Sequence, residues 1–373
     1  MQTAPSPNEV EISIFGPRYG ECILIHVGDN DWVLVDSCID PISKKPASIA
    51  YLKELKINPS DSIKLIVATH WHDDHIRGLY ESIKECGKAT FVFSGALRPK
   101  EFMTLIKAYG NRPMMNVETS GIQEFYDIIS FLHNNKREKG LLDNQIKFAV
   151  SEKCLWRKNN EASALNCEVH SLAPSDASLL LSKVKIADLL PQEPSTKGRL
   201  VSQGPNHTAV VLWISISDIS ILLGSDLEET VDPDTGWSVI VESNTRPAGR
   251  ASIFKIPHHG SKNAHNPIVW QDMLKEESIS LLTPFVQGNV QLPTKQDIRR
   301  ICTRCNKAYI TAKPIIKRRK REKIVEQFVS GATRSIRPLF GSYGQVRLRS
   351  SIETGLHDWK IDLIGDATQL KSV

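Results

Sequence analysis

ATHWHDDHIRG, residues 68–78, places three histidines and two aspartates within the six positions from His70 to His75. The apolar run from Ile63 to Ala68 reads as a buried strand, so the cluster begins where a strand ends. A strand end is a rigid mount for functional groups. Imidazole nitrogens and carboxylates are the usual ligands of catalytic zinc, which keeps one position open for water or substrate. In so short a loop His70 and His72 can address one ion while Asp74 and His75 address its neighbour. Two ions about 3.5 to 4 Å apart can share and activate a hydroxide. A polar surface cap or a single structural metal would use the same residue types, but the density of the cluster favours catalysis. Asp73 is left to orient a histidine or to face solvent.

Outward from this stretch, three more segments put ionisable groups beside apolar runs. NHTAVVLW carries His207 just before one, ILLGSDLEE carries Asp226 just after another, and FKIPHHGS carries His258 and His259 after a third. Groups at strand ends can converge on one edge of a layered fold. The rest of the pattern fits this. Strands are expected at Val10 to Phe15, Cys22 to Val27, Trp32 to Val35, Thr90 to Phe93, Val184 to Leu189, Ala209 to Trp213, Ile219 to Leu223, Ser252 to Ile256, Ile279 to Leu282 and Ala308 to Ile310. Helices are expected at Ser48 to Leu55, Leu79 to Cys86, Lys100 to Tyr109, Ile122 to His133 and Lys295 to Cys302. Two strand-rich halves separated by helices suggest two sheets packed face to face under helices. Residues from about 98 to 150 carry no chemistry motif and read as a helical insertion or lid. GQVRLRSSIETG and WKIDLIGDA read as a terminal hairpin or small appendage.

In the order and content of these motifs the chain resembles the metallo-beta-lactamase fold superfamily, particularly the branch of the ComEC hydrolase domain and the bacterial phosphorylcholine esterases. The resemblance runs over about residues 8 to 311. It implies a four-layer αββα sandwich of the α/β (α+β) class, as a hydrolase domain over 8–311 with a basic C-terminal extension over 312–373. It also implies roles. Asp36 in VLVDS would support the metal loop by hydrogen bonding. His70, His72, Asp74, His75, His207, Asp226 and His259 would hold two divalent ions, zinc being expected and manganese the alternative, with Asp226 bridging. Of the doubled histidines, His259 is expected at the metal and His258 toward substrate, the exchanged assignment being the alternative. Asp74, His258 and Lys262 are the residues expected to take part in catalysis; ordinary loop packing is the other reading of Ser261 and Lys262.

The reaction expected is hydrolysis of a phosphodiester, as a phosphodiesterase or nuclease using a hydroxide activated by two metal ions. The substrate would be a phosphate-containing small molecule or a nucleic acid. Lactone, thioester or other ester and amide hydrolysis uses the same hydroxide, so ligands alone do not choose the substrate. A regulatory subunit binding a protein partner through the insertion or the C-terminal region is the reading from another class.

Composition bounds these readings. With 40% hydrophobic and 24% charged residues in 373, disorder is not the default. No apolar run is long enough to cross a bilayer, and MQTAPSPNEV lacks a basic-then-apolar leader. Seven scattered cysteines do not make a disulfide scaffold, so a reducing cytoplasm is expected. CTRC, with Cys302 and Cys305, has no second pair to complete a zinc ribbon. The net charge of +5 is uneven: from Lys313 onward there are 13 Lys/Arg against 6 Asp/Glu, and before it 34 against 36. The run KRRKREK at 317–323 would attract phosphate backbones, although a solvated helix face looks the same in sequence.

Overall fold

The computed structural model describes residues 2–98, 104, 121–139, 145–158, 163–188, 205–314, 322, 324–325, 328, 332, 343–353 and 355–373. The expected helix at Lys100 to Tyr109, all but Thr104, and the basic residues of 317–323 lie outside the described residues.

The first sheet takes β1 (Glu9–Pro17), β2 (Cys22–Val27), β3 (Trp32–Val35), β4 (Ile63–Ala68), β5 (Thr90–Ser94) and β6 (Ile146–Ala149), and later β16 (Tyr343–Ser351) and β17 (Lys360–Gly365). The second takes β7 (Lys153–Lys158), β8 (Cys167–Ser171), β9 (Leu212–Ile216), β10 (Ile219–Leu223), β11 (Ala251–Lys255), β12 (Leu274–Leu282), β15 (Ala308–Ile310) and β18 (Thr368–Gln369). Their spatial orders are β17-β16-β1-β2-β3-β4-β5-β6 and β18-β15-β12-β11-β10-β9-β8-β7. A separate ribbon joins β13 (Phe285–Gln287) and β14 (Val290–Leu292).

The four layers follow from alternation along the strands, because successive side chains of a strand face opposite ways. In β4, Leu65 and Val67 pack between the sheets with Leu212, Ile214, Ile221 and Ile253. Ile66 and Ala68 face outward onto Leu52 of the helix Ala47–Glu54, Ile83 of Leu79–Glu85 and Phe125 of Gly121–Lys139. On the far side Trp213, Phe254 and Leu282 pack beneath Trp237 of the helix Gly236–Glu242 and Ile301 of the helix Lys295–Cys302. The αββα sandwich expected from the sequence is the observed architecture.

Each sheet is mixed, and its parallel half carries the site. β3, β4, β5 and β6 run parallel, as do β10, β11, β12 and β15. Parallel strands present their carboxyl ends on one edge, where loops are free to carry chemistry. Asp36 follows β3, His70 to His75 follow β4, Asp226 follows β10, His258 and His259 follow β11, and Thr283 follows β12.

Three expectations need correction. Val184 to Leu189 is not a strand: up to Asp188 it is the end of the helix Asp176–Asp188. Ser178 and Ile186 are buried and Ser182 half-buried, four apart, while Leu180, Leu181 and Val184 are exposed, so polar residues on the buried face hid the helical period. The Ser175 hydroxyl accepts from Ser178 N and marks the helix start. The strand placed at Ala209 begins at Leu212, because Pro205–Thr208 is a tight 3-10 turn and Val210 N reaches across to Thr69 O. Finally, of the two readings of the C-terminal strands the hairpin holds, β16 pairing antiparallel with β17, and the appendage does not. β16 pairs with β1 from Glu9↔Ser351 to Pro17↔Tyr343, so the first sheet runs across the division drawn at residue 312.

Candidate metal centre

β4 ends at Ala68, and the chain turns through Thr69 into the short helix Asp73–Ile76. The helix Gly121–Lys139 closes over this loop at Gly121, where any side chain would collide with Trp71 O. Asp36, buried at the end of β3, organises the loop. It accepts from Thr69 N at 2.8 Å, from the Thr69 hydroxyl at 2.7 Å and from His75 Nδ1 at 2.7 Å. With Nδ1 of His75 committed to a carboxylate, its Nε2 faces Asp226 Oδ1 at 3.3 Å and Asp74 Oδ2 at 3.7 Å. His70 Nδ1 lies 3.0 Å from the Thr69 hydroxyl, which also accepts from Ser225 Oγ at 2.7 Å. His70 Nε2 is thereby turned toward His72 Nδ1 at 3.2 Å and Asp226 Oδ2 at 3.9 Å.

The second sheet supplies the opposing wall. Ser225, His258 and His259 all have left-handed backbone, at φ 46°, 48° and 52°, and Asp36 does so across the cleft at 57°. Non-glycine residues rarely adopt this conformation, which costs about 1–3 kcal/mol each and is characteristic of functional sites. The left-handed pair separates the doubled histidines. His259 is buried, with Nε2 3.1 Å from Asp74 Oδ2 and 3.5 Å from Asp226 Oδ2. His258 stays half-buried at the rim, its Nδ1 3.2 Å from Glu228 Oε1 and 3.1 Å from Asn263 Oδ1. Arg300 donates to Gly260 O and holds this turn from behind.

Three groups of donors lie close enough to share an ion. In one of them, Asp36, His70 and His75, the Asp36 carboxylate is already taken up by Thr69 and His75 Nδ1, which leaves two: Asp74, His75, Asp226 and His259, and His70, His72 and Asp226. Asp226 belongs to both. Among the described residues, buried His75 Nε2 and Asp226 Oδ1 have no hydrogen-bond partner, although they lie 3.3 Å apart. Orphaned polar atoms of this kind are rare in a folded interior. With three imidazole nitrogens aimed at two carboxylates, the residues fit a pair of divalent cations.

Electrostatics agree with that reading. Burial opposes a charge on His75, but Asp226, Asp74 and Asp36 outweigh it and hold its pKa well above the ordinary value. Burial likewise opposes charge on His259, and Asp226 and Asp74 raise its pKa to about 9. Burial, with His75 and His72 nearby, drives His70 well below its ordinary value. Burial disfavours the Asp226 carboxylate, yet His75 and His259 hold its pKa well below the usual range. The carboxylates of Asp74 and Asp226 thus favour positive charge at this point of the cleft.

The structure does not gather every expected residue. Among the described residues His207 belongs to neither donor group and its Nδ1 has no partner; it is half-buried in its 3-10 turn, while neighbouring Asn206 donates to Glu228. Lys262 is exposed on the loop beyond His259. All seven cysteines are free thiols, and Cys302 and Cys305 belong to none of the donor groups among the described residues. Three buried residues escaped the sequence reading. Glu21, Lys255 and Thr283 lie behind His259 and Asp226, at the ends of strands whose apolar runs gave no hint of a buried ion pair.

Residues 15–105 match the metallo-beta-lactamase superfamily. No curated protein sequence matches the chain. Among solved structures it is similar to the metallo-beta-lactamase fold protein YhfI from Bacillus subtilis, at 11% identity over 82% of this chain and 97% of that one, with a TM-score of 0.39. A metallo-beta-lactamase HARLDQ motif mutant from Cronobacter sakazakii gives 13% identity over 67% and 77%, TM-score 0.33. MEM-A1, a subclass B3 metallo-beta-lactamase from a soil metagenome library, gives 14% over 69% and 80%, TM-score 0.33. The superfamily's match spans Asp36 and the whole His70–His75 loop, and the αββα layers bring that loop against Asp226 and His259. The chain is thus a metal-dependent hydrolase of the metallo-beta-lactamase fold.

Proposed function

We propose that the chain hydrolyses phosphodiesters, as a nuclease or a nucleotide phosphodiesterase. The observation that carries this reading is the shared position of Asp226 between two donor groups, because paired cations suit an in-line displacement in which both the entering and the leaving oxygen need stabilisation. Exposed Lys262, the basic run at 317–323 and the ordered motifs resembling the ComEC and phosphorylcholine-esterase branch support an anionic substrate. In this reading His70, His72 and Asp226 hold one ion, zinc or manganese, and Asp74, His75, Asp226 and His259 hold the other, with His207 a candidate addition to the first. Bound there, the ions supply an acidified water and a Lewis acid for a phosphoryl oxygen.

The chain's own groups prepare the rest. Asp36 keeps the proton of His75 on Nδ1 and, through Thr69, orients His70. Glu228 and Asn263 face His258 Nδ1 and Asn206 Nδ2 lies 3.4 Å from Nε2, so the imidazole is held at the rim of the cleft on the side where a leaving oxygen would sit. Lys262 meets a phosphate oxygen.

A second reading is favoured by the ribbon. The half-buried Phe285 ring lies 5.3 Å from His259 and 5.4 Å from Tyr19, a partly apolar wall that also suits a lactone or thioester. The deciding experiment assays metal-loaded protein on single-stranded DNA, RNA, cyclic dinucleotides and simple phosphodiesters beside lactones, thioesters and a beta-lactam. Metal-dependent turnover of phosphodiesters is expected. Turnover confined to the carbonyl substrates would overturn the reading, and no turnover of any, with a partner protein bound, would favour the regulatory one.

A further inference from the structure

Behind the second donor group lies a charged pair that joins the two sheets. Lys255, at the end of β11, and Glu21, just before β2, are both buried, with Nζ 2.7 Å from Oε1. Lys255 Nζ also donates to Ser225 O at 2.7 Å and lies 3.7 Å from Asp226 Oδ1. The other oxygen of Glu21 accepts from the Thr283 hydroxyl at 2.6 Å. That hydroxyl lies 3.1 Å from His259 Nδ1, and Thr283 O lies 3.3 Å from the same nitrogen. The Glu21 backbone is tied in as well, its N donating to Asp74 O at 2.8 Å.

The directions of these bonds are fixed by chemistry. A threonine hydroxyl has one proton, and here it goes to Glu21, so the oxygen can only accept from His259. A carbonyl can only accept, which makes Thr283 O a second acceptor for the same N–H. His259 therefore carries a proton on Nδ1, and the nitrogen offered to a metal is Nε2, the one beside Asp74 and Asp226.

We infer that Lys255, Glu21 and Thr283 are positioning residues that fix the tautomer and ring orientation of His259 for the second ion. The inference rests on the two-ion reading of the centre and deepens it. Asp36 does this for His75 from the first sheet; the Lys255-Glu21-Thr283 chain does it for His259 from the second. Because the lysine and the glutamate neutralise one another, the pair acts through geometry rather than net charge. A buried pair this close is costly to break singly, whereas replacing both partners with apolar residues of similar volume is often tolerated.

The test therefore uses Thr283→Val, Thr283→Ser and the double substitution Glu21→Leu/Lys255→Met in the full chain. Binding of zinc is titrated against a chromogenic chelator, and the cobalt(II)-substituted protein is followed by its visible absorption. Thr283→Val and the double variant should bind the second ion about 10–100-fold more weakly, the range found for residues that orient a ligand, while the first ion is unchanged. The cobalt spectrum of the second position should change, and Thr283→Ser should restore both readouts. Wild-type affinity for both ions in Thr283→Val and the double variant overturns the proposal, as does equal loss of both ions in every variant. Neither readout uses a substrate, so failure of the phosphodiester reading would leave this result standing, and the reverse.

Discussion

The two walls of the cleft are built on different plans. On the first-sheet side, four donors lie between His70 and His75, and one aspartate, Asp36, steadies the loop through three hydrogen bonds. On the second-sheet side, Asp226 and His259 come from separate strand ends, and an ion pair reaching across both sheets steadies them. One wall is a local motif; the other is a product of the whole sandwich. Local motifs tolerate change elsewhere in the chain, whereas a donor set assembled from distant strands depends on how the sheets pack.

Asp226 is where the walls meet, and Asp226→Ala is expected to have the largest effect. Both ions should be lost, and turnover should fall by more than about 100-fold, beyond the range typical of residues that only support a ligand. Metal content by elemental analysis and turnover on the same preparation check this; retention of one ion would show that the walls bind independently. His70→Ala and His259→Ala sharpen the contrast. Each should empty one position and leave the other filled, as read by anomalous scattering, while His207→Ala should cost less metal than either. Loss of both ions from either of the first two would mean the walls cannot be separated.

Asp36→Asn should weaken metal binding by about 10–100-fold, because an amide has one acceptor oxygen for donors that now share two. His258→Ala should leave metal content intact and lower turnover, since its imidazole is held by Glu228 and Asn263 outside both donor groups.

The smallest expected effect is on stability of the metal-free protein. His259 has its pKa raised from 6.5 to about 9, and His75 is raised too. Groups raised on folding contribute stability that is full below the unfolded value and lost as pH rises through the folded one. Asp226 is depressed, so its contribution is lost only as pH falls well below 3.8. The thermal midpoint of the metal-free chain should decline between pH 6.5 and about 9. Zinc should reverse the trend by displacing the protons, so its affinity rises over the same interval. A midpoint flat across this interval, with and without zinc, would contradict the charge balance described for the cleft.

The first wall was legible because its donors are close in sequence and follow an apolar strand, and near-continuous apolar runs, buried on both faces, gave the bounds of β2, β3 and β4 unshifted. Asp226 and the histidine pair were legible for the same reason. Glu21 and Lys255 were not: each flanks an apolar run and looks like an ordinary solvated charge until the sheets are stacked. The doubled histidine was ambiguous in sequence because which ring turns inward depends on two left-handed residues, and backbone handedness at non-glycine positions leaves no compositional trace. The helix Asp176–Asp188 was misread because serines occupy its buried face.

The pairing of β1 with β16 has a consequence for how the chain is made. β1 leaves the ribosome before every other described strand, with Val10, Ile12, Ile14 and Phe15 destined for burial. Its neighbour on one side, β2, follows within a few residues, but the other edge waits for Tyr343–Ser351. Throughout synthesis of everything between, that edge is an open template for strand addition, the kind of surface that seeds aggregation in nascent chains. A product cut short before Tyr343 would still contain every proposed metal ligand and the whole of the Glu21-Lys255 pair. It would nonetheless be expected to precipitate or be captured by chaperones, with its first strand still exposed along one side.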